Sequence, residues 1–364
     1  MNETASRATH DLDAVVAQAL AWRAAGRKVA LATVARTWGS SPRPAGSKLA
    51  VSDAGELVGS VSGGCIEGAV AQEALEVMAS GVSRVVDFGV SDETAWEVGL
   101  ACGGRVEVFV EAVGEPVDEA RRGVSPAVLA ELLDARRTGR PVVLVTPLDG
   151  GAHRLVALST AEPPVQQAPV QPVQNDEIAA AVAAVGRRDQ AEVIEVGGRA
   201  CLFEPQLPAR RLIIVGAVHV AQPLAEMAGL AGFAVTIVDP RRAFATAARF
   251  PGQALVVRWP DAALAELAPD ARTAVVTLTH DPKLDDPALV AALATPAFYV
   301  GCLGSQKTHA ARRTRLGAGG IAEPALARLR GPVGLRIGAR TPAEIAVSIL
   351  AEIVAALRGA AGAA

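Results

Sequence analysis

From Leu212 onward, short apolar runs alternate with longer helical stretches. Leu212–Val215, Val235–Val238, Ala254–Val257, Ala274–Leu278 and Ala297–Val300 read as strands. Helices are expected through Ala228, near Ala262–Leu267 and near Pro287–Ala294. Regular strand–helix alternation leaves right-handed crossovers on a parallel sheet, which predicts a Rossmann-like, doubly wound C-terminal domain. A last helix is announced by Thr341-Pro342-Ala343-Glu344: a threonine N-cap, proline at the first helical position and a glutamate that completes a capping box. Ile345, Ile349 and Ile353 then recur on one face and are expected to pack on a core.

The preceding half reads differently. Asp11 is a candidate N-cap for an amphipathic helix carrying Leu12, Val15, Val16, Ala19 and Leu20, ended by Gly26. Val29–Val34 reads as a buried strand. Lys48–Ser52 and Leu57–Val61 flank Asp53-Ala54-Gly55, a hairpin signature. Ser62–Cys65 is expected to lead into a helix that runs through Met78, with strands at Arg84–Phe88 and Arg105–Val113. Strands with few helices predict an α+β domain. The class is therefore α/β overall: residues 1–206 as an N-terminal α+β domain and 207–364 as the Rossmann-like domain. Ala161–Gln174 (AEPPVQQAPVQPVQ) reads as an exposed proline-rich linker or loop.

With 364 residues, two domains and sizeable cores are expected. A formal net charge of −3 argues against a polycationic nucleic-acid binder, and 3% aromatic residues argue against a base-stacking platform for single strands. No apolar run approaches the ~18 residues of a membrane span. Met1-Asn2-Glu3-Thr4 does not open a secretion signal, and Cys65, Cys102, Cys201 and Cys302 lack zinc-type spacing, so a reduced, cytoplasmic protein is expected.

Candidate chemistry falls in four places. The first turn of the C-terminal domain is Gly216-Ala217-Val218-His219. It keeps the first glycine of a dinucleotide fingerprint but carries Val218 where a glycine would let pyrophosphate approach. Asp239 ends the next strand, about 20 residues on, a spacing that suits a ribose hydroxyl. Either a nucleotide-like ligand binds here or the turn is bare. His219, His280 and His309 follow strands of this sheet and, with Asp239 and Asp281, could form a polar or phosphate site, or a metal site. Gly304–His309 with Arg312, Arg313 and Arg315 is either a phosphate-binding helix start or a solvated basic helix.

In the N-terminal domain, Ser62-Gly63-Gly64-Cys65 precedes a helix, which would place Cys65 in its first turn, where backbone N–H groups favour a thiolate and anions. Ala101-Cys102-Gly103-Gly104 precedes a strand and would leave the Cys102 sulfur sterically open. Cys201 and Cys302 read as core. Ser40-Ser41-Pro42-Arg43-Pro44 offers Arg43 to an anion or is simply a proline-stiffened turn.

Taken together, Gly39-Ser40-Ser41-Pro42-Arg43-Pro44 with Gly46, Ser62-Gly63-Gly64-Cys65-Ile66-Glu67 and Ala101-Cys102-Gly103-Gly104 resemble the N-terminal domain of the XdhC/CoxI family. Val238-Asp239-Pro240-Arg241, Thr279-His280-Asp281-Pro282, Gly304-Ser305 and Gly334–Pro342 resemble its Rossmann domain, Val218 being a departure. The resemblance implies an accessory factor for molybdenum hydroxylases such as xanthine dehydrogenase or carbon monoxide dehydrogenase. Such a factor binds the molybdenum cofactor (molybdopterin or its dinucleotide form), holds it during sulfuration and helps insert it into the apoenzyme. It would turn over no substrate of its own. A cysteine desulfurase and an apo molybdenum hydroxylase are the implied partners, and a homodimer is expected because a labile ligand needs shelter. By the same resemblance Cys102 with Gly103 and Gly104 becomes the expected cofactor contact, followed by Cys65, Gly63, Gly64 and Glu67. Arg43, Gly216, His219, Asp239 and His280 complete the candidate set. The alternative is an NAD(P)-dependent oxidoreductase with His280 as its acid–base group.

Overall fold

The computed structural model describes residues 7–39, 43–89, 104–115, 123–158 and 176–360. The chain divides into two compact units between Pro208 and Ala209. The proline-rich stretch 161–174, Ala101, Cys102, Gly103 and the Ser40–Pro42 part of the Ser40–Pro44 segment lie outside the described residues.

In the first unit, β1 (Val29–Trp38), β2 (Lys48–Ser52), β3 (Leu57–Gly59), β4 (Arg84–Phe88) and β5 (Arg105–Ala112) form a sheet of order β3-β2-β1-β5-β4, every pairing antiparallel. Its strands alternate. Ala30, Ala32, Val34, Val106, Val108 and Val110 face the helix Glu67–Ser80, which buries Val70, Ala74 and Val77 against them. Leu31 and Ala50 face the other way, towards Val16 and Ala19 of the helix Arg7–Ala24 and Leu129 and Leu132 of the helix Pro126–Thr138. Fully burying one such aliphatic side chain contributes about 1.5–3 kcal/mol.

A second antiparallel sheet, order β7-β6-β9-β8, joins β6 (Val142–Pro147), β7 (Arg154–Ala157), β8 (Glu192–Val196) and β9 (Arg199–Gln206). The helix Asp176–Arg188 covers one face with Ala181, Val182 and Val185. Ala35 and Phe109 of the first sheet meet Leu202 of the second in a small shared core. Beside that core the inward positions turn polar: Thr33, Lys48, Glu111 and Glu204 are all buried.

The second unit has a wholly parallel sheet, order β12-β11-β10-β13-β14-β15, built from β10 (Arg210–Val215), β11 (Phe233–Val238), β12 (Ala254–Val256), β13 (Thr273–Thr277), β14 (Tyr299–Cys302) and β15 (Leu329–Arg330). The helices Ala221–Leu230 and Pro342–Leu357 pack on one face, and Pro260–Leu267, Pro282–Leu293 and Gln306–Ala318 on the other. This is the expected doubly wound, Rossmann-like arrangement, following an α+β unit in the chain. The closing helix has its capping box: Thr341 Oγ1 accepts from Glu344 N–H (3.3 Å), and Glu344 accepts from Thr341 N–H (2.8 Å). Ile349 and Ile353 are fully buried and Ile345 partly so.

Several boundaries differ from expectation. The first helix starts at Arg7, so Asp11 lies inside it and is no cap; nothing in Arg7–His10 breaks a helix. The second helix starts at Glu67, behind Ile66 as N-cap, so Cys65 is not in its first turn. Ser62–Cys65 are drawn instead into a loop wound around Glu67. The helix expected near Pro287 starts at Pro282. Asp281 caps it by accepting from Lys283 N–H (2.9 Å), and Pro287 is carried within.

Candidate functional site

At one end of the five-stranded sheet, β1 and β3 finish and β2 and β5 begin. Leu49 pairs with Gly59, Thr33 with Lys48, and Trp38 with Arg105. The register therefore brings to one end the loop bearing Arg43, the loop bearing Gly63, Gly64 and Cys65, and the entry to β5 at Gly104. Arg105 locks this end. Its guanidinium lies 4.7 Å from the Trp38 ring centroid and pairs with Asp87 at the end of β4.

The loop Ser60–Ile66 closes around one carboxylate. Glu67 Oε1 accepts from the Ser60 hydroxyl (2.6 Å) and from the N–H groups of Val61 (3.2 Å) and Ser62 (2.9 Å). Its Oε2 accepts from the Ser62 hydroxyl (2.5 Å) and Gly64 N–H (2.9 Å). Ser62 Oγ in turn accepts from the N–H groups of Cys65 and Ile66, both at 3.0 Å. Ser60 Oγ accepts from Gly63 N–H (2.8 Å), and Arg43 Nε donates to Ser60 O (3.3 Å). Partial burial pushes the Glu67 carboxyl up, but these donors outweigh it and hold it at about 2. Gly63 and Gly64 have φ of 82° and 119°, the left-handed backbone the winding requires.

This geometry corrects one expectation. The N–H groups of Gly63, Gly64, Cys65 and Ile66 are used inside the loop and are not offered to an anion. What the loop offers outward is glycine backbone and the exposed Cys65 thiol. Glu67 shapes the loop from within. Gly104 is buried at the mouth of β5.

Gly216, with φ of 107°, makes the tight turn of the second unit. A Cβ there would lie 2.5 Å from Thr279 Cγ2, so only glycine fits. Val218 turns its side chain onto the core. His219 and His280 are exposed beyond the carboxyl ends of β10 and β13, and His280 is held at φ 61°. Thr279 before it donates to Asp285 (2.6 Å), and Asp281 after it caps a helix. Asp239 is buried and does not present a free carboxylate. Oδ1 accepts from the N–H and Nε of Arg241, both at 2.9 Å; Oδ2 accepts from Ala217 N–H (2.8 Å) and Arg241 Nη2 (2.7 Å). Of the pair, the Arg241 side chain is 39% exposed and that of Asp239 fully buried.

His309 is on the helix Gln306–Ala318, with Nδ1 3.8 Å from Cys302 Sγ. Among the described residues no group of three His, Cys, Asp or Glu side chains is placed to hold a metal ion. The basic run is not a free phosphate site either. Arg312 is buried against Cys302 Sγ (2.9 Å) and Asp285 (3.3 Å), Arg313 pairs with Glu323, and Arg315 pairs with Asp286 (2.9 Å). Burial pushes the Cys302 thiol up to about 11 despite Arg312. Cys201 is buried in β9.

Sequence reasoning missed the buried group between the two antiparallel sheets and the arginine–phenylalanine cluster after β11. Of the latter only Asp239-Pro240-Arg241 is visible as a motif block.

An antiparallel α+β unit with clustered glycine loops, followed by a doubly wound parallel unit, defines a two-unit α/β protein. The chain belongs to the XdhC and CoxI family. Residues 22–89 match the model of the XdhC and CoxI family and residues 212–353 that of the XdhC Rossmann domain. It is 30% identical over 329 residues to the molybdenum cofactor insertion chaperone PaoD of Escherichia coli, covering 90% of this chain and 83% of that one. It is 28% identical over 327 residues to a probable xanthine dehydrogenase subunit of Bacillus subtilis, covering 89% of this chain and 92% of that one. A crystal structure of a xanthine dehydrogenase from Bacillus halodurans shares the fold, with a TM-score of 0.69, 24% identity and coverage of 94% and 96%.

Proposed function

We propose that this chain is a carrier for the molybdenum cofactor that supports its sulfuration and delivers it to an apo molybdenum hydroxylase of the xanthine dehydrogenase or carbon monoxide dehydrogenase type. The cofactor is cargo, and the carrier turns over no substrate of its own. A cysteine desulfurase supplies the sulfur, and the carrier works as a cytoplasmic homodimer. The likeness to PaoD, which runs through both units, supports the class of function.

The observation that carries the reading is the convergence of the Arg43 loop, the Cys65 loop and the entry to β5 at one end of one sheet, with an exposed thiol among them. A thiolate is a soft donor suited to a sulfur-rich metal centre. Cys65 and Cys102, with Gly63, Gly64, Gly103 and Gly104, are the proposed cofactor contacts. Arg43 and Glu67 hold the Cys65 loop in shape. His219 and His280, beside Gly216 and the Asp239–Arg241 pair, are the proposed contacts at the carboxyl edge of the parallel sheet.

The test is anaerobic equilibrium binding of molybdenum cofactor to the purified protein, with bound pterin quantified after oxidation. Saturable binding that weakens about tenfold or more, a loss of about 1.4 kcal/mol, is expected in the Cys65→Ser, Cys102→Ser double variant. Binding unchanged in that variant would remove the thiols from the account.

A further inference from the structure

After β11 the chain builds a rim around the Asp239–Arg241 pair. Arg241 lies flat on two supports. Its guanidinium donates to both oxygens of the Asp239 carboxylate, at 2.9 and 2.7 Å, and its Cζ sits 4.3 Å from the Phe244 ring centroid. Phe244 is 40% exposed. Arg249 braces the cluster as well: its Cζ is 5.6 Å from the same centroid, and its Nη1 donates to Ala217 O (2.8 Å) and Phe244 O (2.7 Å). Gln222 Nε2 donates to Arg249 O (3.0 Å), and Ala217 N–H donates to Asp239. The Gly216–Ala217 turn, the segment after β11 and the start of the helix Ala221–Leu230 are thereby cross-linked into one rim. Arg242, next to the platform, is exposed and forms no ion pair or hydrogen bond among the described residues.

Doubly wound sheets bind ligands at the carboxyl ends of their strands, beside the first turn and the end of the following strand. In the usual dinucleotide arrangement a carboxylate there accepts a ribose hydroxyl. Here that carboxylate is consumed in fixing Arg241, and recognition passes from an acceptor to a planar cation. A guanidinium held in plane by a carboxylate and backed by an aromatic ring is a preformed stacking surface for a nucleobase. An unpaired neighbouring arginine suits a phosphate.

We infer that Arg241, Phe244 and Arg242 form a nucleoside-phosphate subsite, the base stacking on the Arg241–Phe244 pair and Arg242 taking the phosphate. Only the identity of the whole ligand rests on the carrier reading: it is then the dinucleotide form of the molybdenum cofactor, bound through its nucleotide part.

The test is calorimetric titration of the full-length protein with CDP, GDP, ADP and adenosine 2′,5′-bisphosphate. Saturable binding of at least one is expected below about 1 mM. It should weaken about tenfold or more in Phe244→Ala, the size of a lost base stack, and in Arg242→Ala. Arg358→Ala, an exposed cation of the same unit, should leave it unchanged. These variants leave the Asp239–Arg241 pair intact, and a thermal melt checks their folding. Binding of none of the four nucleotides, or binding unaffected by both variants, overturns the subsite. Preference for CDP or GDP supports a dinucleotide cofactor as the source. Preference for the 2′,5′-bisphosphate keeps the subsite but overturns that source in favour of a phosphorylated redox dinucleotide. A parallel titration with nucleotide-free molybdopterin cofactor separates the two claims. If it binds while nucleotides do not, the subsite fails and the carrier reading stands; if only nucleotides bind, the carrier reading fails and the subsite stands.

Discussion

Lys48 Nζ lies 2.8 Å from Glu204 Oε1, with both side chains only 2% exposed, and this pair joins β2 of one antiparallel sheet to β9 of the other. The Lys48 ammonium also donates to Thr33 Oγ1 at 3.0 Å. Neither Glu204 oxygen accepts a well-directed hydrogen bond among the described residues. Desolvating two charges costs several kcal/mol, repaid by their attraction only while both are present. Lys48→Met should therefore destabilise the first unit by about 3–5 kcal/mol, and Lys48→Met with Glu204→Leu should recover most of it. Urea unfolding of the three proteins checks this, and a double variant no better than the single would contradict it.

His153 sits beside this pair, with Nε2 3.0 Å from the Glu111 carboxylate. Burial and the nearby Lys48 ammonium lower its pKa, but the charge and hydrogen bond of Glu111, aided by Glu204, raise it more, and the net shift is upward. A folded pKa above the unfolded ~6.5 stabilises fully below that pH and is lost as pH rises through the folded value. The first unit should be less stable above pH ~6.5 than below it, and His153→Gln should flatten that slope. Thermal melts across neutral pH read both.

The cysteines should separate by reactivity. Cys65 is exposed, whereas Cys201 and Cys302 are buried, and burial raises both of their pKa values, Cys302 to about 11. Alkylation of the native protein near pH 8, mapped by mass spectrometry, should label Cys65 at least about tenfold faster than Cys201 or Cys302, since the buried thiols offer neither access nor thiolate. Labelling of Cys302 at a comparable rate would mean that the Arg312 pair opens.

Glu67 makes the shape of its loop pH-dependent. Its carboxyl is held at about 2, below the usual 4.5, so its contribution is complete above about 4.5 and is lost as pH falls towards 2. Glu67→Gln should cost about 1–3 kcal/mol, because an amide NH2 cannot replace an oxygen that receives donors. Hydrogen exchange at Val61, Ser62 and Gly64 should accelerate in that variant while the core of β1 stays protected.

The parallel sheet was legible because both of its faces are covered and its strands are rich in apolar runs, such as Leu212–Val215 and Ala274–Val276. The capping box at Thr341 was legible because all of its parts are local. The second antiparallel sheet was not. Its inward positions include Thr146, Glu204 and Gln206, buried polar residues that interrupt the alternation a strand reading needs. The glycine–cysteine loop was visible as a motif, but its inner hydrogen bonding was not, since it depends on how Ser60 and Ser62 fold back onto Glu67. Asp239 was found by spacing from Gly216. Spacing alone could not show that Arg241, two residues on, would claim both of its oxygens.

The central claim is delivery of cofactor, and transfer measures it most directly. The purified protein, loaded with sulfurated molybdenum cofactor under anaerobic conditions, is mixed with a cofactor-free molybdenum hydroxylase, and hydroxylase activity is followed. The account predicts that loaded carrier restores activity faster and to a higher yield than free cofactor at equal concentration, and that the Cys65→Ser, Cys102→Ser variant loses this advantage. Equal activation by free cofactor and by loaded carrier would contradict it.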